Sequence, residues 1–150
     1  MGALPERRMS VLTLGVDDRA AMTAFYEDVL GFRNVGPKAM ALFDLGGMVL
    51  GLWERTRLAE DAGLPDAQPS GGFRGVALAY NARSRQEVDA IFERLDAAGV
   101  RIPKAPHEAF WGGYSGYFCD PEGNAWEVAH NPHWDLDEAG RVILPDMTGL

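Results

Sequence analysis

The chain is poor in several residue types, and each shortage closes off a class of protein. Cys119 is its single cysteine, so no internal disulfide forms; this agrees with a reducing compartment and reads as a small buried hydrophobe. Basic residues are outnumbered, 14 Lys and Arg against 22 Asp and Glu, giving a net charge of -8. That balance argues against nucleic acid or an anionic membrane as partner, because both demand a basic surface. The acids are scattered rather than blocked, so they read as a solvated surface that weakly favours a cationic small molecule. No apolar run approaches the ~20 residues of a membrane span, and the opening MGALPERRMS carries no secretory apolar core. Together these absences predict a cytoplasmic protein.

What remains is the make-up of one globular domain: 150 residues, 47% hydrophobic and 24% charged, enough for a sizeable core. SVLTLGV (10–16) reads as a strand. Asp17 or Asp18 then caps a helix carrying Met22, Phe25, Tyr26 and Val29 at helical spacing, with Gly31 as its stop. ALFDL (41–45) and MVLGLW (48–53) flank Gly46-Gly47, a two-residue hairpin signal. The stretch from 54 to 72 mixes charges with Pro65, Pro69 and Ser-Gly-Gly; it reads as a connection with a short helix near Arg57 to Ala62.

The pattern then starts again. FRGVALAY (73–80) is a predicted strand, and Ser84 with Glu87 matches a capping box for a helix whose stripe is Val88, Ile91, Phe92 and Leu95, stopped at Gly99. VRIPKA (100–105) is a short extended piece ended by Pro106, with His107 in the following loop. YSGYFC (114–119) and AWEVAH (125–130) then flank the turn residues Asp-Pro-Glu-Gly-Asn. Each half thus reads strand, helix, extended piece, hairpin, an internal repeat in element order rather than in residue identity.

A charge at Glu127, inside that last strand, needs a reason. A five-residue connection pairs Cys119 with Ala125, which sets Tyr117 opposite Glu127 and Ser115 opposite Ala129 on one face. Trp126, Val128 and His130 then point to the other face, toward the helix. A slip of one residue would reverse the assignment. In the first hairpin the same counting sets Leu42 opposite Gly51, the counterpart of Glu127 in the other half.

TLGVDDRAAMTAFYEDVLGF near the start and GYSGYFCDPEGNAWEVAHNP near the end resemble the vicinal oxygen chelate superfamily. Its members include glyoxalases, extradiol dioxygenases, thiol transferases of the fosfomycin-resistance type and bleomycin-resistance proteins. The resemblance covers about 9–132, and WGGYSGYF with the tail NPHWDLDEAGRVILP is similar to its glyoxalase-like subgroup. It implies an α+β fold: a single domain of two βαβββ modules whose mixed sheet is U-shaped around a small-molecule cleft, commonly in a homodimer. Module one would span about 9–54, the linker 55–72, module two about 73–132 and a C-terminal tail 133–150.

The family's metal site takes one residue from each of four pseudo-symmetric strands, chiefly His and Glu. Glu127 matches the last of these positions. The others fall on Val11, on Gly51, and on Gly75 or Arg74, none of which suits a divalent cation. Catalytic metal sites usually take about three protein donors, so no cofactor is expected. His107, His130 and His133 do not supply the missing ones.

The resemblance then implies a glyoxalase/bleomycin-resistance-like protein that binds a small organic molecule in an apolar cleft with one acidic group. The cleft face would carry Val11, Thr13, Met40, Leu42, Val49, Gly51, Trp53, Phe73, Gly75 and Ala77. Trp53, Phe73, Trp111, Tyr114 and Ser115 are the candidate ligand contacts, with Phe110 beside Trp111 in the rim FWGGY. Trp53 and Trp111 have the alternative of filling core or a dimer interface. Glu127 and Tyr117 are the candidate catalytic pair: burial strips water from the carboxylate, and a phenol hydrogen bond would hold it ionised and aimed. The alternatives for Glu127 are an internal bond to backbone or Arg74, or a lyase or isomerase role as general base or as ligand of a divalent metal. An extradiol iron site, which needs two histidines and a carboxylate, and a metal-dependent glyoxalase are both disfavoured. Metal analysis of protein purified without chelators is expected to find well under one equivalent; stoichiometric zinc, nickel or iron would overturn the donor count.

Overall fold

A computed structural model describes residues 3, 8–65 and 72–148. The fold is α+β, and the chain divides into two compact units, Met1–Pro69 and Ser70–Leu150. In the first unit β1 (Val11–Val16) leads to α1 (Arg19–Ala24), which continues as a π-helical turn over Phe25–Val29. Asp18 caps α1, its Oδ1 accepting the amide of Ala21 at 2.9 Å. β2 (Ala41–Asp44) and β3 (Val49–Glu54) form the expected hairpin, with Leu42 opposite Gly51. Gly46 and Gly47 both hold positive φ, 76° and 117°, which side chains resist. β1 joins β3 in parallel, so the sheet order is β1-β3-β2. Its core is Met22, Tyr26, Phe43, Leu50 and Leu52, all at most 1% exposed.

The extended piece expected before this hairpin shrinks to one bridge, Asn34 with Phe43. The short helix of the connection is α2 (Arg55–Ala62), closed by Gly63 in the left-handed conformation. Pro69 and most of the Ser-Gly-Gly run lie outside the described residues.

The second unit repeats the order in full: β4 (Ala77–Asn81), α3 (Arg85–Ala97), β5 (Arg101–Glu108), β6 (Tyr114–Cys119) and β7 (Ala125–His130). The sheet order is β4-β7-β6-β5, with β4 parallel to β7 and the rest antiparallel. Ser84 Oγ accepts the Glu87 amide at 3.1 Å, but Glu87 returns to the amide of Arg83 rather than of Ser84. Val88, Phe92 and Leu95 of α3 are buried with Phe118, Trp126 and Val128 of the sheet. Phe118 and Trp126 stack across the hairpin at 5.9 Å between ring centres.

Two expectations need correction. The strand predicted over 73–80 starts only at Ala77, because Gly75 has φ 78° and interrupts the extended backbone. The piece predicted to end at Pro106 runs on to Glu108, so His107 is a strand residue opposite Ser115. Pro103 and Pro106 are tolerated because β5 is an edge strand and each sits in a register shift, one between Arg101 and Lys104, the other between Lys104 and His107. The tail is structured as well: β8 (Asp135–Leu136) pairs with β9 (Val142–Ile143), and Arg83 Nη2 donates to the Asp137 carbonyl at 2.8 Å. Among the described residues no helix is long and apolar enough to cross a membrane.

The packing of α3 on the sheet leaves no space at Gly116. A methyl group there would lie 2.7 Å from Phe92 Cζ and 2.9 Å from the backbone of Lys104 and Pro106. Gly116→Ala is therefore expected to destabilise the protein by about 1–3 kcal/mol in urea unfolding. A change within error would show that β5 yields to the methyl group.

Candidate functional site

The hairpin of β6 and β7 fixes the site. Its connection is organised by Asp120, which is 3% exposed. One Asp120 oxygen accepts the amides of Glu122 and Asn124 at 3.1 and 2.9 Å; the other accepts the Asn124 side-chain amide at 2.7 Å. Gly123 supplies the positive φ that the turn needs. The register follows: Cys119 with Ala125, Tyr117 with Glu127 and Ser115 with Ala129, as counted from the sequence.

Strand pairing extends this face in both directions. Glu127 is flanked by Ala79 on β4 and Tyr117 on β6, with Lys104 of β5 beyond Tyr117. The next row runs Asn81, Ala129, Ser115, His107. Tyr117 donates its phenol hydrogen to Glu127 Oε2 at 2.7 Å. No other hydrogen bond or ion pair reaches this carboxylate among the described residues, and Arg74 is engaged instead with the Glu122 carbonyl at 3.2 Å. The hydrogen bond to Glu127, aided by desolvation and the negative charge, raises the Tyr117 pKa above its ordinary value.

Beside the pair lies a cavity of about 670 Å³. Its floor is the sheet: Ala79, Asn81, Glu127 and Ala129. Its walls are Trp111, Asn131, His133 and Trp134, with Met147 from the tail. Trp111 owes its seat to glycine. A β-carbon at Gly113 would fall 1.7 Å from its indole, so the ring lies directly against that backbone. A β-carbon at Gly112 would come 3.5 Å from His133 Nε2.

Of the residues expected from sequence, the structure brings Glu127, Tyr117 and Trp111 together, with Ser115 buried on the same face. It does not bring Tyr114, which strand alternation turns toward α3. There its hydroxyl donates to Asp89 Oδ1 at 2.6 Å, and the Arg85 guanidinium lies 4.5 Å above its ring. Phe73 is 74% exposed and Phe110 fully so. Trp53 is a half-buried residue of β3 in the first unit. Trp134, Asn131, His133 and Met147 were missed; they follow β7, where no periodicity marks them. His107, on the site's face of the sheet, keeps Nδ1 buried with no hydrogen-bond partner among the described residues.

Apart from Glu127, the residues at the family's metal positions do not fit a divalent ion. Val11 and Gly51 carry no donor, and at Gly51 the neighbouring space holds Thr13 and Leu42, whose atoms would meet an added β-carbon at 3.2 and 3.4 Å. Gly75 has no side chain, and Arg74 is a cation. Among the described residues no three His, Cys, Asp or Glu are grouped to hold a metal.

Comparison with known proteins agrees with the resemblance. The family model described as Glyoxalase/Bleomycin resistance protein/Dioxygenase superfamily matches residues 8–128. A glyoxalase-related enzyme from Fulvimarina pelagi is 32% identical over 94% of this chain and all of its own, with a TM-score of 0.82. A glyoxalase/bleomycin resistance protein/dioxygenase from Nocardioides is 28% identical over 85% of each chain, with a TM-score of 0.76. Lactoylglutathione lyase from Agrobacterium tumefaciens is 28% identical over 85% of this chain and 96% of its own, with a TM-score of 0.67. Among curated proteins none matches.

The raised Tyr117 pKa carries a sign. The hydrogen bond contributes to stability in full below the unfolded-state tyrosine value, about 10, and is lost as pH rises through the higher folded-state value. Glu127→Gln is expected to bring the Tyr117 titration, followed by the NMR shift of its ring, down toward that ordinary value. An unchanged titration would show that the bond is not made in solution.

Proposed function

Since the chain belongs to the glyoxalase/bleomycin resistance protein/dioxygenase superfamily, we propose that it binds a small organic molecule in the cavity of its second unit. On this reading the protein works without the family's metal site, in the cytoplasm and as a homodimer. The supporting observation is the Tyr117–Glu127 pair, a single aimed carboxylate on an alanine floor beside a cavity of about 670 Å³. That size and that lining, mostly apolar with few convergent polar groups, are those of small-molecule sites. Trp111 and Ala79 would hold the body of the ligand, while Glu127 orients its polar end and Tyr117 fixes the carboxylate.

A second reading draws on the same hydrogen bond. Glu127 could remove a proton from a C–H acid while Tyr117, whose phenol is protonated at neutral pH, donates a hydrogen bond, which would make the protein a lyase or isomerase. Under it, Glu127→Gln abolishes turnover; under the binding reading there is no turnover to lose.

Trp111 and Trp134 make the cavity self-reporting, being two of the four tryptophans. Soluble aromatic fragments are expected to change the intrinsic fluorescence saturably, and Trp111→Ala to weaken them by roughly tenfold or more. Equal affinity in wild type and variant would place the ligand elsewhere.

A further inference from the structure

We infer that the ligand is an organic cation: a protonated amine carried on a flat apolar skeleton. The inference rests on the binding reading above and adds a charge and a shape to it. Among the described residues that line the cavity, Glu127 is the acid and none is Lys or Arg; His133 is the other titratable group there. Tyr117 takes one carboxylate oxygen with a neutral donor, which satisfies a lone pair but does not cancel the charge. A half-buried carboxylate with no Lys or Arg beside it among the described lining residues leaves a negative potential in the cavity, and a positive group of the ligand neutralises it where an anion would be repelled.

The walls favour the same class. Trp111 and Trp134 both line the space, and indole faces attract cations more strongly than any other side-chain ring. Gly113, with no room for a side chain, keeps the Trp111 indole pressed to the backbone, so the ring costs little to hold in place when a ligand arrives. Beneath them, cross-strand pairing sets Ala79 beside Glu127 and Ala129 beside Asn81, so two methyl groups give a planar body a place to lie next to the acid. Met147 adds a soft, polarisable wall. The net charge of -8 acts in the same direction at long range, subject to salt.

Three probes of similar shape separate charge from shape: 2-phenylethylammonium, 2-phenylethanol and 3-phenylpropanoate, titrated into the full chain and followed by tryptophan fluorescence and amide NMR shifts. The ammonium is expected to bind roughly tenfold more tightly than the alcohol, and the carboxylate more weakly than either. Glu127→Gln should remove most of that advantage, lowering the affinity for the ammonium far more than that for the alcohol. Equal binding of ammonium and alcohol by wild type would overturn the cation assignment and leave the binding reading standing, a comparison that needs no variant to fold. Tighter binding of the carboxylate would do the same. If none of the three shifts the cavity residues, the binding reading falls with the inference. Trp134→Leu gives an independent check: it should weaken the ammonium more than the alcohol, and an equal loss would remove the indole from cation recognition.

Discussion

The site depends on Asp120, a buried acid that is not among the residues lining the cavity. By accepting three hydrogen bonds it closes a five-residue connection of one fixed length. Side chains in a strand alternate with a period of two, so loop length decides which residues of β7 face α3 and which do not. With this loop, Trp126 and Val128 enter the core, and Glu127 meets Tyr117 on the opposite face. One residue more or less would bury the acid under a helix and expose the tryptophan.

The two faces of the second sheet differ in kind. Toward α3 they are large and close-packed, tight enough at Gly116 to exclude a methyl group. On the other face the central residues are small or polar: Ala79, Ala129, Ser115, Glu127 and Tyr117. The strand ladder fixes which residues make the floor of the cavity. Its walls come instead from the segments after β5 and β7 and from the tail, where sequence can vary without disturbing the ladder. A superfamily with one fold and several chemistries is built on such a separation.

How much of this was legible in the sequence follows from the range of the signals. The β6–β7 hairpin was readable to the residue because its turn chemistry and its alternation are both local. So was the pairing of Leu42 with Gly51 across two glycines. The strand after the connection was placed too early because Gly75 takes a positive φ amid residues that favour extension. β5 was ended too soon because proline is excluded from central strands; nothing nearby reveals that this strand is an edge. Tyr114 was assigned to the rim by its neighbours in sequence, whereas alternation alone would have sent it to the helix side. Trp134 and Met147 reach the cavity through a two-residue ladder and an arginine–carbonyl contact, which are tertiary events with no periodic trace.

Gly113 ties two positions together in descent. While an indole occupies position 111 in this conformation, no other residue fits at 113; a lineage that acquires a side chain there must re-seat or shrink its neighbour. A side chain at 113 is therefore expected to come with a smaller or re-seated residue at 111, and the bulk held at 111 then tells whether that wall of the chamber still stands.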